Sequence, residues 1–250
     1  MRRIEVGFRC NNACLFCAPG TLRTSLPESP IEEINRQIQE VVTGDRVAFE
    51  GGGPTLFDEL PGWARTVRER GAWSILVQTN ARRLAVKGYA HSLIASGVDV
   101  LDVSLHGANE AMHDYHTNVE GSFRQTVAGL RRARAAGLTF GVTAVVTRSN
   151  YRHLAELVHV VHTLGARALH LPVVNPLGAA AENKDRLVVS PELLEPHMAR
   201  AIARAQALGL VVVRGENLGK AGSPQLFAGT GRAQDPAEAP RLGPRLRVTP

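Results

Sequence analysis

The chain is poor in cysteine and in aromatic residues, and it contains no long apolar run. Each scarcity excludes something. There are three cysteines in 250 residues, all between Cys10 and Cys17. An odd, tightly clustered set is a poor disulfide framework. No stretch of about 18 apolar residues occurs, so no membrane span is expected. The N-terminal Met1-Arg2-Arg3-Ile4-Glu5-Val6 is charged and enters a strand pattern at once. It does not read as a signal peptide. A cytoplasmic location, where thiols stay reduced, is the expectation. The formal net charge of +6 permits an acidic partner, but aromatics are only 5% of residues and no aromatic–basic stripe accompanies the charge. A nucleic-acid partner is therefore not expected. Arg131, Arg132 and Arg134 precede Gly137, where they complement a helix dipole.

Hydrophobic residues make up 44% of the chain, enough for one large α/β core. Short apolar runs alternate with helical patterns. The strand candidates are Arg3–Phe8, Arg46–Glu50, Trp73–Thr79, Val98–Leu105, Leu138–Thr147, Ala166–Val174 and Leu210–Arg214. Most are continuous rather than alternating, as in Ser74-Ile75-Leu76-Val77. Continuous runs suit strands covered on both faces of a parallel sheet. Between them lie helix signals. Ser29-Pro30-Ile31-Glu32 reads as an N-cap, a first-turn proline and a capping-box glutamate, ahead of an apolar stripe of Ile31, Ile34, Ile38, Val41 and Val42. Ser122 with Gln125 repeats the box, Asn150 is a candidate cap, and Leu154, Leu157, Val158, Val161 and Leu164 form another stripe. Ser190-Pro191-Glu192 opens the last helix.

The count is about six βα units with a candidate seventh strand; eight would close a full barrel. The expected fold is α/β, a partial (β/α)6 TIM-like barrel of parallel strands spanning residues 1–214. Residues 215–250 are rich in Gly, Pro and Ala without periodicity and are expected to form an irregular tail. In such folds the chemistry sits on the loops after the strands' C-terminal ends.

The loop after the first strand reads Arg9-Cys10-Asn11-Asn12-Ala13-Cys14-Leu15-Phe16-Cys17, a C-x3-C-x2-C pattern. Thiolates are the usual ligands of iron–sulfur clusters, and three of them on a four-iron cubane leave one iron open. Structural zinc normally takes four protein ligands. No fourth cysteine exists, although His106 or His116 could complete a Cys3His set.

Cys10, Cys14, Phe16 and Cys17, placed after the first strand, resemble the cluster motif of the radical SAM enzymes. The resemblance implies a [4Fe-4S] cluster on the three cysteines and S-adenosylmethionine (SAM) on the open iron. It further implies reductive cleavage of SAM to methionine and a 5′-deoxyadenosyl radical that abstracts hydrogen. An electron donor such as flavodoxin or ferredoxin is implied as a partner. In the family, the loop after strand two usually reads Gly-Gly-Glu-Pro-Thr-Leu and its backbone holds the methionine amino group. Here it reads Gly51-Gly52-Gly53-Pro54-Thr55-Leu56, with Gly53 where glutamate is usual.

Three further strand ends are similar to the branch containing molybdenum-cofactor and peptide-modifying enzymes. Gln78-Thr79-Asn80 resembles a Thr-Asn-Gly ending, with Ala81 replacing glycine. Asp102-Val103-Ser104-Leu105-His106-Gly107 resembles the ending that faces the SAM ribose. Leu171 to Gly178 resembles the ending near the adenine, with Asn175 as the candidate. Phe16, Gly51, Gly52, Gly53, Pro54, Asn80, Ser104, His106 and Asn175 are thus the expected SAM-site residues. The competing reading of that region is a satisfied buried serine with surface histidines; a metal site on His106, His113 and His116 is a further alternative without a supporting carboxylate pattern.

The resemblance covers roughly residues 4 to 213. Relatives often carry C-terminal cysteines for auxiliary clusters, and this chain has none after Cys17. No N-terminal peptide-recognition domain is expected either, because the barrel pattern begins at once. The substrate is expected to be a peptide, by branch resemblance. A small molecule, a glycyl-radical enzyme or an RNA are the alternatives within the class. A non-catalytic iron–sulfur protein is the alternative outside it, and Gly53 is the feature that favours it.

Overall fold

In the computed structural model the described residues are 1–213, apart from 21, 22, 24 and 26–28. Arg214 and the tail expected over 215–250 lie outside them. Seven strands form one sheet in strict chain order: β1 (Arg2–Glu5), β2 (Arg46–Glu50), β3 (Ser74–Thr79), β4 (Val100–Ser104), β5 (Thr139–Thr143), β6 (Ala168–His170) and β7 (Val211–Val213). Every neighbouring pair is parallel. Among the described residues β7 does not pair with β1, so the barrel is open along one side. The seventh strand makes the sheet one strand wider than the six-unit count.

Parallel neighbours need crossovers, and helices supply them. They are α1 (Ile31–Gln39), α2 (Leu60–Glu69), α3 (Tyr89–Ala95), α4 (Glu110–Thr117), α5 (Ser122–Ala136), α6 (Leu154–Leu164), the short α7 (Ala179–Glu182) and α8 (Lys184–Leu187), and α9 (Pro191–Ala207). The stripe of α6 is buried as its 3.6-residue period requires. In α1 only Ile34 and Ile38 are buried within the helix; Ile31 and Val42, at its two ends, are exposed. No helix among the described residues is long and apolar enough to cross a membrane.

Three expected caps are corrected. Pro30, not Ser29, precedes α1, and no side chain caps it. Gly121, not Ser122, precedes α5; the Ser122 hydroxyl instead donates to Asp114 Oδ1 (2.7 Å). Asp114 does the capping from α4: Oδ1 also accepts from Phe123 N (2.8 Å), and Oδ2 from Gly121 N (2.6 Å). Asn150 stands at the N-cap position of the 3-10 turn Tyr151–His153 ahead of α6, but its side chain makes no capping bond. It is buried and donates to the carbonyls of His106 (3.1 Å) and Val145 (2.9 Å). An amide side chain spends its donors where buried carbonyls would otherwise be unpaired.

The two faces of the sheet differ in kind. Side chains alternate across a strand. Ile4, Phe49, Ile75, Val77, Leu101, Val103, Phe140, Val142 and Leu169 pack with the helices in the main core. A separate apolar cluster, Ala48, Leu76, Val100, Ala168 and Val213, lies on the opposite face, inside the bore. Two residues further along β2, β3, β4 and β6 the same face carries Glu50, Gln78, Asp102 and His170. The bore therefore has an apolar floor and a polar layer towards the C-terminal ends of the strands.

Candidate functional site

The cysteine loop follows β1 at that C-terminal end and is tied down by distant parts of the chain. Its N–H groups at Ala13 and Leu15 donate to the carbonyls of Thr117 (2.8 Å) and His116 (3.0 Å), at the end of α4. Ala179 N donates to Cys17 O (3.0 Å), and Asn183 Nδ2 to Leu15 O (3.4 Å). Arg82 donates to Asn11 O and to Asn12 Oδ1. Asn80 Nδ2 donates to Asn11 Oδ1 (2.6 Å) and lies 4.0 Å from Cys10 Sγ. Asn80, expected as a SAM contact, therefore braces the cysteine loop. Its own carbonyl accepts from Thr126 (2.9 Å), and Ala81 takes the left-handed backbone (φ 60°) that a glycine favours.

All three thiols are partly exposed and none is in a disulfide. Burial pushes the Cys14 thiol up to about 12, and the neighbouring Cys10 and Cys17 add to it; Arg23 opposes them. Burial also raises Cys17, against the Gly20 N–H and Arg23. Cys14 and Cys17, whose thiols burial favours in the neutral form, become thiolate donors most readily when a cationic centre compensates their charge. Cys10 Sγ already accepts a backbone N–H from Asn12 (3.4 Å). Among the described residues no three His, Cys, Asp or Glu groups are placed to hold one metal ion. A cubane makes no such demand, because each thiolate binds its own iron. The donor set therefore fits an iron–sulfur cube.

The loop after β2 lies beside the cysteine loop. A Cβ on Gly51 would sit 2.4 Å from Gly7 O, and one on Gly52 would sit 2.4 Å from Phe8 O and 2.5 Å from Arg9 O. The close approach expected towards a ligand is thus an approach to the chain's own backbone. Gly53 is different: its nearest atoms would be Leu56 Cδ1 at 3.4 Å and Arg9 O at 3.5 Å, ordinary contacts. Pro54 then begins a single 3-10 turn, Pro54–Leu56.

Beyond β4, Phe16 packs edge-on against His106, with ring centroids 4.8 Å apart, so the cysteine loop rests on this strand end. His106 Nδ1 accepts from Val145 N (3.2 Å), and its backbone N–H donates to His113 Nδ1 (3.1 Å). His116 Nδ1 donates to Met112 O (2.7 Å), and Nε2 meets Thr147 Oγ1 (2.8 Å) and Ser149 Oγ (2.9 Å). These bonds consume the lone pairs that a His106–His113–His116 metal site, or a Cys3His zinc site through His116, would need. That reading is corrected: the three histidines are neutral structural links. Burial holds His106 well below the usual imidazole range and brings His113 down to about 4. His113 Nε2 is buried without a hydrogen-bond partner. Ser104 is half-buried where the bore opens. Asn175 does not end β6, which stops at His170; it lies exposed past the isolated bridge between Val146 and Val173.

Arg82, Asn11, Asn12, Asn183 and Gly178 are absent from the expected set. Gly178 meets Cys17 and Ala18: its Cβ would lie 2.0 Å from Ala18 O. Their partners lie far away in sequence, although Asn11 and Asn12 stand between Cys10 and Cys14, Arg82 two residues after Asn80 and Gly178 three after Asn175.

Comparison with known proteins agrees with this geometry. The chain is 27% identical over 194 residues to the AdoMet-dependent heme synthase of Nitratidesulfovibrio vulgaris, covering 76% of this chain and 52% of that one. It is 26% identical over 206 residues to the PqqA peptide cyclase of Ruegeria pomeroyi, covering 81% and 54%. The chain thus spans about half the length of the curated relatives it matches. Its fold matches that of Streptococcus suis SuiB bound to S-adenosylmethionine, with a TM-score of 0.65 at 16% identity, over 89% of this chain and 52% of that one. The Radical SAM superfamily pattern matches residues 4–161, well over half of the sequence, and the chain belongs to that superfamily, whose cofactors are a [4Fe-4S] cluster and SAM.

Proposed function

We propose that this protein is a radical SAM enzyme that acts on a peptide. Cys10, Cys14 and Cys17 hold the cluster and leave one iron for SAM. The observation that carries the reading is the cysteine triad itself: three thiols on one loop at the C-terminal end of β1, with no fourth cysteine in the sequence. The bound cofactors supply a 5′-deoxyadenosyl radical that takes hydrogen from the substrate.

The chain's own residues orient and shield. Phe16 presses the cysteine loop against His106 and keeps water from that side. Asn80 and Arg82 fix the loop from β3 and the turn after it. The backbone of residues 51–53 lies beside the loop, with the Gly52 N–H already donated to Gly7 O (2.8 Å), and Ser104 presents a hydroxyl at the bore's mouth for the SAM ribose. Peptide as the substrate class is supported by the likeness to a peptide cyclase. The likeness to a heme synthase supports the small-molecule alternative. A non-catalytic carrier remains the competing class, favoured by glycine at position 53.

Anaerobic reconstitution tests the reading. The protein should bind about four irons and four sulfides per chain, and any one of Cys10→Ala, Cys14→Ala or Cys17→Ala should abolish them. With a strong reductant it should form 5′-deoxyadenosine and methionine. Stoichiometric zinc without an iron–sulfur chromophore sinks the metal assignment. A normal cluster that neither binds nor cleaves SAM makes the protein a carrier.

A further inference from the structure

The polar layer inside the bore has no part in holding the cysteine loop. It is nevertheless built in register. Gln78 is paired with Asp102, Asp102 lies beside Gly141, Ser104 beside Thr143, and Thr143 beside His170. Thr143 Oγ1 donates to Asp102 Oδ1 (2.7 Å), and the Gln78 side chain also bonds to that carboxyl. His170 Nδ1 lies 3.5 Å from Thr143 Oγ1. Glu50, on β2, is buried and bonded to Arg3 at the open edge of the sheet. Below lies the apolar floor of Ala48, Leu76, Val100, Ala168 and Val213. Above lie Ser104 and the cysteine loop.

A buried carboxyl group on an apolar floor is expensive unless something compensates it. Val100, two residues earlier on β4 and on the same face, shows that an apolar side chain suits this bore. Two carboxyl groups, an amide and a hydroxyl face one another there. The cation facing them among the described residues is Arg3, which is bonded to Glu50. Asp102 is held by neutral donors from two strands and fixed in direction by both. What this arrangement lacks and would bind is a positive group with several N–H donors.

We propose that the layer of Glu50, Gln78, Asp102, Thr143 and His170 is a substrate-binding site for an ammonium or guanidinium group, with Asp102 as the specificity-determining residue. The inference rests on the radical SAM reading and narrows its substrate class to a basic peptide side chain or an amine. The basic group enters from the mouth and meets Asp102 just below Ser104. Its carbon stem remains higher in the bore, near the site where hydrogen is abstracted. Binding converts the carboxyl to a carboxylate and releases its proton to solvent.

Calorimetric titration of the full-length, cluster-loaded, SAM-bound protein tests this. The probes are the amides of N-acetyl-lysine, N-acetyl-arginine, N-acetyl-norleucine and N-acetyl-glutamate. The lysine or arginine probe should bind about tenfold or more tightly than norleucine, the advantage of one charge-assisted bond. The glutamate probe should not bind. At pH 6, titration in two buffers of different ionisation heat should show proton release with the basic probes. Asp102→Asn, checked for its iron content, should lose both the preference and the proton release. Norleucine binding as well as lysine, no binding by any probe, or a preference undiminished in Asp102→Asn each overturns the proposal. If that variant fails to load a cluster, the ranking on the unaltered protein still decides. Probe-free formation of 5′-deoxyadenosine is measured alongside: its absence refutes the radical SAM reading, whereas the probe ranking refutes only the site.

Discussion

Gly52 lies so close to Phe8 that a Cβ would come within 2.4 Å of the Phe8 carbonyl oxygen. The cysteine loop and the glycine loop are therefore one packed unit. Both obstructing atoms, Phe8 O and Arg9 O, belong to the backbone and cannot rotate away. Gly52→Val should destabilise the fold by about 1–3 kcal/mol, as overpacking does. It should also lower the iron retained after reconstitution. Unfolding curves and iron analysis check this; normal values in both would show that the loops can separate.

Gly53 should behave in the opposite way. Its Cβ direction meets only Leu56 and Arg9 at ordinary contact distance. Gly53 is buried, so Gly53→Ala, which adds the Cβ alone, should change stability by no more than about 1 kcal/mol, while Gly53→Glu should keep the fold only where its carboxylate finds a partner. If the new carboxylate reaches SAM, a charged hydrogen bond worth roughly 1.5–3 kcal/mol tightens binding about ten- to a hundred-fold. Loss of SAM binding in a stable, cluster-loaded variant would mean that the pocket is built around glycine.

Asp114 holds the start of α5 through its bonds to Gly121 N, Ser122 Oγ and Phe123 N. Burial raises its pKa, but these bonds together outweigh it and the carboxyl titrates below its ordinary value. A depressed carboxylate stabilises the fold above its unfolded pKa, and that contribution fades as pH falls through the folded value. Asp114→Ala should cost about 1–2 kcal/mol at pH 7, the scale of a lost helix cap. Denaturant midpoints of the two proteins should converge towards acid. An unchanged midpoint at pH 7 would remove Asp114 from the capping role.

Asp102 carries the reverse sign. Burial pushes its carboxyl up to about 7, against the Thr143 and Gln78 bonds and with help from Glu50. From the ordinary 3.8 to about 7, the folded protein keeps a proton that the unfolded chain has lost. Stability therefore falls as pH rises through that window. The gap corresponds to a cost on the order of 4 kcal/mol above it. Asp102→Asn keeps the shape and removes the titration. Its stability relative to the unaltered protein should grow as pH rises from about 4 to about 7 and level off above that. Parallel pH profiles would show that Asp102 is ionised in the folded state.

The strands and the cysteine triad were legible in the sequence because their signals are local. Apolar runs mark strands covered on both faces, a 3.6-residue stripe marks α6, and the three thiols lie within eight residues. Strand ends were read too long at Phe8, Leu105, Thr147 and Val174, because apolar residues continue into the loops that build the site. What the sequence could not assign was the partner of each polar residue. Asp114 reaches another helix, Asn183 reaches Leu15, and Arg82 reaches Asn11 and Asn12. Continuous apolar strands also hide which face turns inward, so Asp102 did not announce that it lies in the bore. The local code marked six strands with a candidate seventh, and it placed the three cysteines together. Only tertiary packing decided that Gly52 must be glycine while Gly53 need not be, because that depends on which backbone atoms a distant loop places against each Cβ direction.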